Sequence, residues 1–399
     1  MNDSRPRPPP TYGWYVVVVL TLAYVVSFID RQILSLLIEP IRRELGLSDF
    51  QMAWIGPPAF ATCFLLFGLV FGRLADRVRR TRLVALGISI WCVMTAACAF
   101  ADGAVEMFLA RMGVGLGEAV LTPCALSLIS DLFAREKVGK PIAFYTTGIS
   151  VGSSIAFIVG AALIQWLEGG DHDPFSGLGI TAAWRETFLL VGLPGLVLVA
   201  LFLAMREPPR RERLEARQAS PGDTWRFLVE QRRVYVPLFL GKTVPNVITY
   251  AHFWIVPTFE RSYGWSRSTT GARWGLVLLA GGLSGVMLGG WLSDRWYRAG
   301  RSDAAVRTVW LGLLASLPLH ALAPLMPSGE LALVLFLASM IAVGACSAAG
   351  SVAAMLATPN EYRGQMTALS LLVSSGLGQF LGPTSVAFLT DFVFEDPAA

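Results

Sequence analysis

Eleven apolar runs, each long enough to cross a bilayer, occur in this chain of 399 residues, at 13–39, 51–72, 81–101, 104–131, 141–167, 184–205, 234–259, 270–292, 304–326, 329–358 and 364–394. About 20 helical residues span a hydrocarbon core. No water is there to satisfy open backbone groups, so each run must close its hydrogen bonds within itself. An all-α polytopic membrane protein is expected. Composition agrees, with 54% hydrophobic residues, 15% charged residues and a mean hydropathy of +0.57, outside the usual range of a soluble domain. The first run lacks a small-residue cleavage site and is too long for a signal peptide. Met1 to Pro10, polar and rich in proline, is expected to be a short disordered tail. The one long charged connection, 206–233, separates an N-terminal bundle at 1–205 from a C-terminal bundle at 234–399, with six and five spans.

Counting basic residues on alternate sides of the spans gives an orientation. Of 32 Lys and Arg, 23 fall on the side of the N-terminus and of 206–233, six on the other and three inside spans. The positive-inside rule puts the N-terminus and the 206–233 linker in the cytoplasm. The net charge of +4 then reflects loop asymmetry and not a nucleic-acid surface. The five cysteines, Cys63, Cys92, Cys98, Cys124 and Cys346, lie in apolar runs without metal-ligand spacing. No metal site and no cofactor are expected.

Charges inside spans are the strongest functional signal, since each costs at least about 2.5–3.5 kcal/mol at the bilayer centre and so must face protein or a water-filled cavity. Met107 to Phe133 carries Arg111 and Glu118, seven residues apart and therefore on one helical face. Gly113, Gly115 and Gly117 lie between them and let a neighbouring helix come close. Asp30 lies ten residues before Pro40, and Arg111 ten residues after Ala101, which places both at about 15 Å depth. Asp30 and Arg31 point about 100° apart, so one addresses the fourth span and the other a cavity. These four residues read as a proton and substrate coupling cluster. Lys242, Asn246 and Tyr250 form one polar stripe on the seventh span, and Tyr24 and Tyr145 add hydroxyls from the first half, giving a candidate substrate cavity. His252 and His320 read as satisfied core or interfacial histidines. Pro57, Pro58, Pro245 and Pro257 are expected to bend their helices.

The two halves echo one another. Gly72-Arg-Leu-Ala-Asp76-Arg77 closes the second span and Gly290-Trp-Leu-Ser-Asp294-Arg295 closes the eighth, which points to a duplicated unit. With Arg80, these residues read as a conformational gate: the glycine admits a neighbouring helix and the aspartate pairs across to it. This G-x-L-x-D-R pattern with its basic run resembles the loop signature of the major facilitator superfamily, and Arg111-Met-Gly-Val-Gly-Leu-Gly117 resembles that family's fourth-helix arginine motif. Phe28-Ile-Asp30-Arg31, Gly115-Leu-Gly117-Glu118-Ala119 and Ser130-Asp131-Leu132-Phe133 are similar to the Spinster group of lipid and lysolipid transporters.

The resemblance implies the major facilitator fold, two pseudo-symmetric six-helix bundles that work by alternating access. Twelve spans are usual there and eleven are visible here, so a twelfth helix is expected beyond Ala399. It further implies a secondary, proton-coupled transporter of an anionic amphiphile such as a lysophospholipid or a sphingosine-phosphate-like lipid. The chain is expected to sit as a monomer in the plasma (inner) membrane of a bacterium. A proton-coupled carrier of a small organic anion stands as the alternative, and a non-transporting receptor as another class. The residues supply a charge argument of their own. With Asp30 and Glu118 ionised against Arg31, Arg111 and Lys242 the cluster carries +1, and with both protonated +3, which suits an anionic substrate. No nucleotide-binding P-loop is present, and no nucleophile–base or metal-ligand cluster marks an enzyme.

Overall fold

The computed structural model describes residues 9–134, 137–169, 174–210, 221–301 and 303–394. The tail expected at 1–10 lies outside these residues apart from Pro9 and Pro10, as do 211–220 of the charged connection and the region of the expected twelfth helix. The described residues are helical and contain no strand. Fifteen α-helices follow one another: α1 Pro10–Leu45, α2 Asp49–Ile55, α3 Pro57–Ala75, α4 Arg80–Cys98, α5 Ala104–Glu118, α6 Leu121–Leu132, α7 Gly139–Glu168, α8 Ala183–Ala204, α9 Pro221–Glu230, α10 Arg232–Ala251, α11 Ile255–Tyr263, α12 Arg267–Arg298, α13 Ala304–Leu322, α14 Gly329–Ala357 and α15 Asn360–Phe388.

Among the described residues, ten helical segments are long and apolar enough to cross a membrane. The seventh expected span is helical but not among them. Arg232, Arg233, Lys242 and Asn246 lower its hydropathy, and a 3₁₀ turn at His252–Trp254 divides it into α10 and α11. Pro257 accounts for that division, because it cannot donate to the carbonyl four residues back and its ring crowds that carbonyl. The second expected span breaks similarly at Gly56, ahead of Pro57 and Pro58. The fourth breaks just after Glu118. There Pro123 has no N–H for the carbonyl of Ala119, so the ladder lapses for one turn before Cys124 N–H resumes it on Val120 O at 3.4 Å.

Two compact units are present. The first comprises Met1–Arg213 with Arg267–Ala272, and the second Leu214–Ser266 with Arg273–Ala399. In the first, α1 lies along α7, α4 along α8, and α5 is held between α3 and α4. Val16, Leu20, Ile88, Trp91, Val114 and Leu128 fill its core. The glycines of α5 explain how it fits. A Cβ at Gly115 would stand 2.2 Å from Phe60 O, and one at Gly117 2.6 Å from Gly87 O, so α5 meets its neighbours backbone to backbone. In the second unit α10 lies along α15 and α13 along α14. Large apolar side chains such as Leu66, Val93, Leu109, Leu203, Leu314 and Leu356 point outward, as helices in lipid require.

Candidate functional site

The four charges singled out on the first and fourth spans meet in the first unit as two ion pairs. Arg31 Nε lies 2.6 Å from Glu118 Oε2, and Arg111 Nη1 lies 3.4 Å from Asp30 Oδ1. Helix geometry sorts them. Ser27 and Arg31 are one turn apart on α1 and therefore share a face, and both reach the same oxygen, Ser27 Oγ donating to Glu118 Oε2 at 2.5 Å. Asp30 points to the adjoining face, where Thr95 Oγ1 on α4 and Arg111 on α5 donate to it. Arg111 also reaches the Asp30 carbonyl at 3.4 Å.

Burial separates the members. Asp30, Arg111 and Glu118 are almost wholly enclosed, whereas the Arg31 side chain keeps 18% of its surface open. Its guanidinium lies over the rings of Phe28, Phe60 and Phe64, with centroids at 4.7, 4.4 and 4.9 Å, a favourable seat for a cation. Two atoms remain without a hydrogen-bond partner: Glu118 Oε1 and Arg111 Nε. A carboxylate with one oxygen fully engaged and the other buried and empty can take a proton on the empty oxygen.

The two tyrosines of the first half are stacked on each other, ring centroids 4.6 Å apart and nearly parallel at 7°. Tyr24 also meets Phe28 edge-on at 5.2 Å, which connects it to the Arg31 cradle. Tyr145 is 1% exposed, with its hydroxyl 3.4 Å from Thr122 Oγ1. In this conformation it is a wall of the unit's interior.

The stripe on α10 lies in the second unit. Asn246 Nδ2 donates to the Lys242 carbonyl at 2.8 Å, so this amide serves its own helix. Gly378 leaves room for Asn246 and Tyr250, and Gly350 for the Lys242 stem, whose Cγ would stand 3.2 Å from an added Cβ. Lys242 is half-buried and forms no ion pair among the described residues.

The repeated motif behaves differently in its two copies. Gly72 and Gly290 do not mediate close packing here, since an added Cβ at either meets nothing within 4 Å. Asp76, Arg77, Asp294 and Arg295 are exposed. Arg80, in contrast, is 1% exposed and holds the end of the first unit together. It pairs with Asp131 on α6, donates to Ser127 Oγ at 2.8 Å, to Glu207 Oε1 at 2.8 Å and to Pro208 O at 3.2 Å. Burial pushes the Glu207 carboxyl up, but the N–H groups of Thr81 and Arg80 and the Arg80 guanidinium outweigh it and hold Glu207 below the usual carboxylate range. Arg210 adds ties to the Ala75 and Val78 carbonyls at 2.7 and 2.6 Å. The roles of Asp131 and Glu207 are not readable from sequence spacing. Only the recurrence of a carboxylate at each neighbouring helix end hints at them. In the second copy Arg295 lies over Trp291 and Arg298 donates to the Asp294 carbonyl at 3.3 Å.

Comparison with known proteins places this geometry. The sequence model of the Major Facilitator Superfamily matches residues 20–383. An MFS-type efflux pump of Mycolicibacterium smegmatis is 29% identical over 100% of this chain and 89% of its own length. Protein spinster of Drosophila melanogaster is 23% identical over 96% of this chain, but only 62% of its own length is covered. Among solved structures, a bacterial homologue of the human lysosomal transporter Spinster, in an inward-facing and unoccupied conformation, superposes with a TM-score of 0.84 at 26% identity, over 98% of this chain and 88% of that one.

Proposed function

The chain belongs to the Major Facilitator Superfamily, and from that premise we propose that it is a proton-coupled secondary transporter of an anionic amphiphile, working by alternating access in the plasma membrane of a bacterium with its N-terminus in the cytoplasm. The chain is a Spinster-like transporter of that superfamily. The observation that supports the finer reading is the pair of ion pairs in the first unit: of these four residues, Arg31 is the partly open cation, and it is held by Glu118, the carboxylate with a buried unpartnered oxygen.

A proton arriving on Glu118 Oε1 removes the charge that holds Arg31. The guanidinium, already seated on three aromatic rings, is then released to an anionic headgroup, while the rings offer apolar surface to a tail. Loss of the proton returns Arg31 to Glu118 and weakens the hold on the anion. Proton and substrate occupancy are thereby linked, and by reciprocity each changes the affinity for the other. Arg111 neutralises Asp30 and keeps the second carboxylate from competing for Arg31.

Flux in proteoliposomes tests this. Lysophospholipid or sphingosine-phosphate-like lipid is offered with and without an imposed pH gradient, next to small organic anions. Gradient-driven movement of the lipid supports the reading. Movement of the small anions alone replaces the substrate class, and flux indifferent to the gradient removes proton coupling. Orientation is tested separately with a cysteine at Gly177, an exposed position, in sealed vesicles. Labelling from the cytoplasmic side alone reverses the map.

A further inference from the structure

A second polar pair lies in the second unit, away from the cluster described above. His252, in the 3₁₀ turn between α10 and α11, and His320, near the end of α13, have ring centroids 4.8 Å apart. Nδ1 and Nε2 of His252 and Nδ1 of His320 are buried with no hydrogen-bond partner. This corrects the expectation of satisfied core histidines. A buried and unpaired polar group is costly, so three in one place call for an occupant or a second arrangement. Aromatic rings wall the pair. Trp274 on α12 lies 4.9 Å from His252, and Phe336 on α14 lies 5.1 Å from His320 and 6.0 Å from His252.

The charged groups on the surrounding helices are engaged elsewhere or lie further along them. Arg273, beside Trp274, pairs with Glu330 at 3.0 Å and lies over Trp265. Arg261 lies over Trp254 at 5.7 Å, and Glu260 is two turns beyond His252. Lys242 is nearly three turns before it. Arg307 pairs with Asp303 on the far end of α13. On α15, joined to the turn by Trp254 Nε1–H donating to Pro383 O at 2.9 Å, no charged residue occurs between positions 364 and 390. The Thr249 carbonyl, one turn before His252, faces the ring without reaching hydrogen-bond geometry.

We propose that His252 and His320 are a proton-binding pair that takes one proton between them. Two imidazolium ions at this separation would repel with no carboxylate beside them, whereas one added proton makes one ring an imidazolium that donates N–H to the neutral ring, a charge-assisted bond stronger than the N–H···N link two neutral rings can form. The rings of Trp274 and Phe336 keep water from the pair, and the remaining His252 N–H is directed to the Thr249 carbonyl. Short 3₁₀ stretches within helices often mark hinges. The bound proton therefore tightens the tie between α13 and the interruption between α10 and α11, and the loss of it weakens that tie. The pair is independent of the Glu118 cluster and stands whether or not that cluster couples transport to protons.

The chain has three histidines, which makes a direct titration practical. The full chain carrying His172→Gln and 15N-labelled histidine is placed in lipid nanodiscs, and the ring resonances are followed from about pH 8 to pH 5, the window in which imidazoles change charge. The proposal expects both rings to shift through one common transition with uptake of one proton, the transition to persist in Glu118→Gln, and the shift of His252 to be lost in His320→Gln. Rings that titrate at separate midpoints with one proton each, or that stay neutral throughout the window, overturn it. The titration of the His172→Gln chain decides this even where a further variant fails to fold.

Discussion

Arg31 Nε lies 2.6 Å from Glu118 Oε2, and of the two side chains only the arginine reaches open surface, at 18% against 0%. A carboxylate thus sits wholly inside the first unit while its counter-ion stands at the edge. This is the arrangement expected of a group that is neutralised from within by a proton and read from outside by an anion.

The neighbouring pair is expected to contribute to stability as well as to the site. Arg111→Ala leaves Asp30 buried without its counter-ion, and breaking one partner of a buried pair costs about 3–5 kcal/mol. Thermal unfolding in detergent should show a large loss for Arg111→Ala, most of which is restored when Asp30→Asn is added. Substrate binding, followed by tryptophan fluorescence, should be lost in the single variant. Equal stability of the single and double variants would remove the pairing argument.

Of the gate residues, Arg80 carries the contacts that folding depends on. Asp76 is exposed and has no partner among the described residues, so Asp76→Asn should change folding stability by no more than about 0.5 kcal/mol. Arg80→Ala strands Asp131 and Glu207 together and should cost about 3 kcal/mol or more, with a matching fall in transport rate. Equal effects of the two substitutions on melting and flux would contradict this ranking.

The helical spans were legible because lipid leaves the backbone no alternative to internal hydrogen bonds, and the meeting of Asp30 with Arg111 followed from equal depth alone. What was hidden depended on long-range contact or on a single missing N–H. Arg80 finds Asp131 and Glu207 across 51 and 127 residues of chain, a relation that no periodicity encodes. The break after Glu118 depends on Pro123, whose effect appears four residues upstream. Taken singly, His252 and His320 look like ordinary core residues, and only their 4.8 Å approach shows three empty nitrogens. The lower hydropathy of the seventh span traces to Lys242, Asn246 and the arginines at its start.

Acid should loosen the Arg80 network only below the ordinary carboxylate range. Glu207 is held below its usual value, so its contribution is fully present above about pH 4.3 and is lost as pH falls through the lower value it has in the folded chain. Amide exchange over residues 76–82 should be flat between pH 7 and pH 5, after correction for intrinsic rates, and accelerated at all pH in Glu207→Gln. Loosening of the wild-type loop between pH 7 and pH 5 would contradict the assignment.

The close fit of α5 gives a packing prediction. A side chain at Gly115 meets Phe60 O at 2.2 Å, where the facing backbone cannot yield cheaply, and overpacking of this kind costs about 1–3 kcal/mol. Gly115→Ala should lower the melting temperature, whereas Gly72→Ala, whose added Cβ meets nothing within 4 Å, should not.

Glu118→Gln tests the central claim most directly. The substitution keeps the shape and a hydrogen-bonding oxygen for Ser27 but fixes the uncharged state, so the proton can neither load nor leave. In proteoliposomes with an imposed pH gradient, the account predicts that Glu118→Gln still binds lipid substrate and exchanges it at equilibrium but no longer accumulates it, while the wild-type chain does. Accumulation by Glu118→Gln in response to the gradient would contradict the account and pass the coupling role to Asp30.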